Sequence, residues 1–254
     1  MIKTLFARLH QGYRTNDFPK STPPLPDRFR GVPEFDEKQC AQDCALCEAA
    51  CPTKAVTKKG SGPALDLGAC IFCTECESAC PTRRLRLSTE KFALAARTRA
   101  GLIATGDSAR PACQSLDKKL KKLFGRSLKL RQVSAGGCNA CEADINVLST
   151  VAWDLGRFGI GVVASPRHAD GLLVTGPVTK NMRLALQKTY DALPAPKLVI
   201  AVGACAISGG IYRDSPAQYC GVESMFPVDL YIPGCPPHPL TILDGLLRLL
   251  GKLA

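Results

Sequence analysis

The sequence has no run approaching eighteen apolar residues, which excludes a membrane-spanning helix. Its opening stretch, MIKTLFARLH, lacks a long apolar core and a small-residue cleavage site, so no secretory signal is expected. A Ser/His/Asp set, a Walker phosphate loop, a GxGxxG fingerprint and paired catalytic carboxylates are also missing. What is plentiful is cysteine, with 14 in 254 residues. In a chain that is not exported, such cysteines point to metal more than to disulfides. A hydrophobic share of 46% with 22% charged residues marks a globular chain, long enough for two modest domains.

The formal charge is +11, and it is unevenly placed. Residues 1–100 hold 16 Lys and Arg against 11 Asp and Glu, residues 101–133 eight against two, and residues 134–254 nine against nine. The densest run, KKLKKLFGRSLKLR at 118–131, precedes a neutral domain and reads as a solvated helix face plus a connector. Docking to an acidic partner or to phospholipid headgroups is the other reading of that run. No nucleic-acid partner is expected.

Four segments follow one another. Residues 1–36 begin with a helix candidate whose Ile2, Leu5, Phe6 and Leu9 form one apolar stripe, stopped at Gly12. The proline-rich NDFPKSTPPLPDRFRGVP then drapes over the rest of this chain or over a partner. Residues 37–87 form a cysteine-rich unit, and 88–126 read as a mostly helical basic connector. Residues 127–254 alternate short Val- and Ile-rich runs with helix candidates at 142–159, 181–193 and the end of the chain. That alternation predicts a doubly wound parallel sheet.

Eight cysteines fall within 41 residues. Cys70, Cys73, Cys76 and Cys80 spell CxxCxxCxxxCP, the bacterial ferredoxin pattern. Cys40, Cys44, Cys47 and Cys51 spell the same pattern with one extra residue at the first step. Three closely spaced thiolates wrap three irons of a cubane, and the fourth reaches the other cluster. The spacing therefore assigns Cys40, Cys44, Cys47 and Cys80 to one 4Fe–4S cluster, and Cys70, Cys73, Cys76 and Cys51 to a second. The internal repeat of CALCEAACPT and CTECESACPT supports a pseudo-twofold unit. Zinc ribbons use paired knuckles without the third cysteine or the trailing CP, and a disulfide scaffold fits less well.

Four more cysteines follow strand candidates: Cys138 and Cys141 in GGCNAC, Cys205 in GACAISGG and Cys235 in PGCPP. Loops at the carboxyl ends of parallel strands share one edge, where open sheets bind ligands. The four predict a third cubane, with Gly136, Gly137, Gly203, Gly209, Gly210 and Gly234 letting the backbone come close. Cysteines at these loop positions leave flavin an unfavoured occupant of that edge. Cys113 and Cys220 are left as buried free thiols. Twelve thiolates and three oxidised cubanes bring the formal charge to roughly +5.

GGCNACEADINVL, SPRHADGLLVTGPVTKNM, GACAISGG and MFPVDLYIPGCPP resemble the small subunit of membrane-associated NiFe-hydrogenases of the formate-hydrogenlyase type. They also resemble the 20 kDa cluster-bearing subunit of respiratory complex I. The N-terminal part, with its lead-in LFARLHQGYRTNDFPKSTPPLPDRFRG, resembles the two-cluster ferredoxin subunit of the same complexes. The CxxC of Cys138 and Cys141 is similar to the hydrogenase branch, where the complex I branch has adjacent cysteines. The chain departs from the family at His238, often Arg, and at Leu240, often acidic. The resemblance implies an α+β ferredoxin-like two-cluster domain followed by an α/β flavodoxin-like doubly wound domain. It implies an electron-transfer subunit with a large NiFe-hydrogenase-like partner and other subunits of a membrane-associated complex. The same wire in a complex without a NiFe site, with quinone or another acceptor, is the alternative. A cluster-bearing regulatory module is a third reading. The resemblance also implies that Arg167 and His168 lie near the third cluster. Thiolate cages need a reducing compartment, so a cytoplasmic position is expected, peripheral at the inner membrane through partners.

Overall fold

A computed structural model describes residues 2–36, 40, 44–59, 62–106 and 113–253. Position 37, the expected start of the cysteine-rich unit, and 107–112 within the expected connector lie outside the described residues. In chain order the elements begin with α1 (Ile2–Gln11), β1 (Pro33–Phe35), α2 (Leu46–Ala49), β2 (Val56–Lys59) and β3 (Gly62–Asp66). Next come α3 (Glu75–Ser78), β4 (Leu85–Leu87), β5 (Ile103–Thr105), α4 (Lys118–Phe124) and β6 (Leu128–Ser134). The remainder is α5 (Ala140–Val147), β7 (Ile160–Val162), β8 (Gly171–Thr175), α6 (Lys180–Asp191), β9 (Leu198–Val202), α7 (Ala204–Ser208), β10 (Leu230–Ile232) and α8 (Pro239–Leu249).

Strands β8, β9 and β10 are buried at every residue, as a parallel sheet covered on both faces requires. The strand order is β10-β9-β8-β6-β7, all parallel. In order of appearance this is 2-1-3-4-5, the flavodoxin-like arrangement, with its switch point between β6 and β8. Alternate residues serve opposite faces. Leu173, Ile200, Val202 and Ile232 pack with Ile145, Leu148 and the apolar side of α8. Leu172, Val174, Val199 and Ala201 join Leu186 of α6 and also Leu65, Leu67, Cys70 and Cys76 of the cysteine-rich part. Both parts of the chain thus contribute to the core on that second face.

The cysteine-rich part rests on a three-stranded antiparallel sheet, β2-β3-β5, and on the β1–β4 pair. Strand β5 corrects the reading of 88–126 as mostly helical. Ala104 faces inward between Ile103 and Thr105, and Ala64 pairs with Thr105. Only α4 in that stretch is α-helical among the described residues, capped by Asp117, whose carboxylate accepts from Leu120 N–H at 2.9 Å. The helix predicted over 142–159 ends at Val147. Thr150 Oγ1 bonds back to the Val147 carbonyl at 2.7 Å, and Asp154 takes φ +45°. Ile145, Leu148 and Leu155 are buried, but Ala152 is exposed.

The proline-rich segment drapes over this chain. Asn16 N–H bonds the Ala152 carbonyl at 2.9 Å, and Arg157 donates to the Asn16 and Phe18 carbonyls at 2.7 and 2.9 Å. Phe18 is buried against Phe92, and Phe29 against His238. Beside this shared apolar core the cysteine-rich part makes polar contacts, two of which cross to the large-sheet part of the chain. Asp66 holds Arg99 through both carboxylate oxygens at 2.5 Å. Ser208 Oγ donates to the Gly68 carbonyl at 2.9 Å, and Arg213 to the Thr53 carbonyl at 2.7 Å.

Candidate metal centres

The carboxyl edge of the large sheet collects four thiols from three loops. Cys138 and Cys141 bracket the start of α5, where Asn139 turns the chain at φ +72°. Cys205 lies in the first turn of α7, and Cys235 follows β10. Burial raises the Cys141 thiol, with the Glu142 carboxylate and the Cys205, Cys235 and Cys138 thiols adding to it. Burial pushes Cys205 up to about 11, again with Cys235 and Cys138 nearby. Cys235 is raised by burial and by Cys138. Each of these three thiols senses others of the set, so the four form one electrostatic neighbourhood.

The backbone is shaped around these sulfurs. Gly203, at φ +90° and ψ 154°, occupies a region essentially limited to glycine. A Cβ there would lie 2.6 Å from Cys141 Sγ, and one on Gly210 would lie 3.0 Å from Cys205 Sγ. Glu142 is buried, and Thr175 Oγ1 donates to its carboxylate at 2.6 Å. Thr175 escapes sequence reasoning because it ends an apolar run; its only local signal is a hydroxyl in an otherwise aliphatic strand.

The N-terminal cysteines fall into two neighbourhoods. Burial raises Cys47, followed by the Cys80 and Cys40 thiols. Burial takes Cys70 to about 12, opposed by the Phe72 N–H, with Cys76, Cys51 and Cys73 around it. Cys76 rises to about 11 through burial, then Cys51 and Cys73, with Cys47 more weakly felt. Cys51 therefore faces the second motif, and Cys80 faces the first. Cys44 is half-buried just before α2, and among the described residues no interaction ties its thiol to the other three.

Hydrogen bonds reach the sulfurs directly. Ala55 N–H donates to Cys51 Sγ at 3.1 Å and Phe72 N–H to Cys70 Sγ at 3.3 Å. The two CPT repeats place Thr53 and Thr82 hydroxyls 3.8 and 3.5 Å from Cys51 and Cys80. At Cys80 burial raises the thiol, but Thr82 and the backbone N–H groups of Arg84, Thr82 and Leu85 outweigh it and lower its pKa. These threonines were available in the repeat but carry no motif of their own.

None of the fourteen cysteines is joined in a disulfide. Among the described residues, no group of three or more His, Cys, Asp or Glu side chains is arranged to hold a single metal ion. A cubane imposes a wider spacing, because each of its thiolates ends on a different iron. The soft thiolate donors, the glycine-only backbone beside Cys141 and the amide donors to sulfur fit such a group.

Residues 138–249 match the family described as the 20 kDa subunit of NADH ubiquinone oxidoreductase. A probable membrane-bound hydrogenase subunit of Pyrococcus furiosus, mbhJ, is 42% identical over 150 residues, covering 59% of this chain and 90% of that one. The chain belongs to the 20 kDa subunit family. Formate hydrogenlyase subunit 7 of Escherichia coli is 45% identical over 55% of this chain, which spans about half (54%) of that relative. An NADH-quinone oxidoreductase subunit of Citrifermentans bemidjiense is 44% identical over 46% of this chain and 69% of its own length. The family match begins at Cys138 and contains all four strand-end cysteines, while the eight cysteines of 40–80 precede it.

Two expectations about this family member are corrected. Arg167 and His168 are exposed on the short crossover from β7 to β8. Two residues on, Asp170 bonds the backbone of Lys129 near the amino end of β6, away from the cysteine edge. The crossover of only eight residues cannot carry a full helix and returns early. Cys220 is exposed rather than buried, and its thiol donates to the Arg213 carbonyl at 3.3 Å; Cys113 is half-buried. His238, noted in the sequence only as a departure from the family, caps α8. Its Nδ1 accepts from Leu240 N–H at 3.2 Å, and its ring meets Phe29 and Trp153 edge-on.

Proposed function

We propose that this chain holds three 4Fe–4S clusters and relays electrons to or from the large catalytic subunit of a membrane-associated NiFe-hydrogenase complex of the formate-hydrogenlyase type. The observation that carries the reading is the convergence of Cys138, Cys141, Cys205 and Cys235 on one sheet edge, with backbone cut back to glycine beside the sulfurs. Cys40, Cys44, Cys47 and Cys80 would hold a second cluster, and Cys51, Cys70, Cys73 and Cys76 a third, in a ferredoxin-like unit built on 37–87. Each cluster, when bound, takes up and releases one electron at a time.

The chain's own residues set the conditions for that exchange. The thiols must give up their protons to become ligands, and burial opposes this, so cluster loading favours higher pH. Amide and hydroxyl donors at Cys51, Cys70 and Cys80 stabilise negative charge on sulfur, which raises a reduction potential. Ser208 Oγ, donating to the Gly68 carbonyl, ties the Cys70 loop to α7, which carries Cys205.

The CxxC at Cys138 and Cys141 and the similarity to two hydrogenase-complex subunits favour the NiFe reading. The family description and the quinone-oxidoreductase relative favour a second reading, the same relay serving quinone or another acceptor. The proposed position is peripheral, at the cytoplasmic face of the inner membrane; among the described residues no helix is long and apolar enough to cross a membrane.

The test is an anaerobic preparation assayed for iron and acid-labile sulfide. Three cubanes require about twelve of each per chain, and Cys205→Ser should remove about four while sparing the rest. A preparation that never exceeds one cubane would remove the N-terminal relay. The acceptor is decided by the largest stoichiometric partner captured with the chain: two CxxC pairs, one near each end, support NiFe, and their absence supports the second reading.

A further inference from the structure

The helix α1 exposes the side of itself that an amphipathic helix normally buries. Ile2, Leu5, Phe6 and Leu9 are exposed at 73, 63, 65 and 72%, and no side chain of α1 is buried. By contrast, nearly all of α8 is inside the core. Tyr13, just beyond the helix, is 84% exposed and stacks under the Arg8 guanidinium at 4.3 Å.

Charge around that stripe has one sign. At 3.6 residues per turn, Lys3 and His10 sit about 100° to one side of the stripe and Arg8 about as far to the other. The opposite side carries only Thr4, Ala7 and Gln11. Arg14 follows the helix, and the first acidic residue of the chain is Asp17. Long basic side chains on both flanks of a narrow apolar stripe can reach outward while the stripe sinks between headgroups.

The segment just after the helix is tied to the rest of the chain. Thr15 Oγ1 donates to the Val151 carbonyl at 2.8 Å, and Asn16 bonds Ala152 through both backbone and side chain. Val151 itself is 69% exposed, adding apolar surface beside the tether. We infer that α1 is an in-plane anchor that lays Ile2, Leu5, Phe6 and Leu9 into an anionic lipid surface, with Lys3, Arg8 and Arg14 on the headgroups. This inference is independent of the cluster reading.

The test uses the full chain, purified anaerobically, and flotation with vesicles of phosphatidylcholine alone or with phosphatidylglycerol added. The chain should float with the anionic vesicles and much less with the neutral ones, and rising salt should weaken binding. Each basic residue near an anionic surface contributes about fivefold in affinity, so the double variant Lys3→Gln, Arg8→Gln should bind about 30-fold more weakly. The double variant Leu5→Glu, Phe6→Glu should stay unbound while keeping the wild-type unfolding curve, since neither side chain is buried. A wild-type chain that stays with neither vesicle, or a glutamate variant that floats as well as wild type, overturns the inference. Loss of a co-purifying protein from the glutamate variant, without vesicle binding by wild type, assigns the stripe to a protein partner instead.

Discussion

Replacing Gly203 by alanine puts one methyl group into the space beside Cys141. The φ of +90° and ψ of 154° suit glycine alone, and a side chain there costs about 1–3 kcal/mol. The added Cβ would also stand 2.6 Å from Cys141 Sγ, where contact distances run at about 3.5–4 Å. Either the sulfur retreats by about 1 Å or the loop after β9 shifts and takes Cys205 with it. Each move displaces one of the four thiols at the sheet edge, Cys141 in the first case and Cys205 in the second. If the strain falls wholly on the loaded state, affinity for the third cluster drops roughly 5- to 150-fold. Gly156→Ala is the control, because its Cβ meets nothing nearer than Asp154 Oδ1 at 3.6 Å. Anaerobic reconstitution followed by iron analysis and electron paramagnetic resonance reads the outcome. Iron should fall from about twelve to about eight per chain in Gly203→Ala and stay unchanged in Gly156→Ala. Full iron in Gly203→Ala, with an unaltered spectrum, would refute the claim that glycine at this position makes room for the cluster.

Two further outcomes follow from the Asp66–Arg99 pair and from the α8 cap. Arg99→Ala leaves the half-buried Asp66 carboxylate without its bidentate partner, which should cost about 1–3 kcal/mol in chemical denaturation. Arg99→Lys keeps the charge without the fork and should recover only part of that loss. Burial holds the His238 imidazole below its ordinary pKa, so its contribution to stability is present above about pH 6.5 and is lost as pH falls through the depressed value. Protonation there also removes the Nδ1 acceptor from Leu240 N–H. Unfolding free energy should therefore decline between pH 7 and 5, and His238→Asn, which retains a capping acceptor, should flatten that slope. Asp144 and Asp229, whose carboxyls burial raises, oppose it by favouring the folded state at lower pH.

The sequence by itself determined whatever rests on short-range spacing. Thiols at intervals of three and four residues, Val- and Ile-rich runs of strand length, and the apolar stripe of α1 are written locally, and the elements at β6, β8, β9, β10 and α1 stand where these patterns put them. The tertiary structure decided what depends on residues far apart in the chain. Strand β5 exists because Ala64 pairs with Thr105, although its own neighbourhood is rich in basic residues. The Asp66–Arg99 fork spans 33 positions, and Asn16 meets Arg157 across 141. No local periodicity encodes such contacts, because their free energy is gained only after the intervening chain has folded. The same reason moved His168 away from the cysteine edge and left Cys220 at the surface. A side chain's type announces what it can do, while its surroundings, assembled from distant segments, decide what it meets.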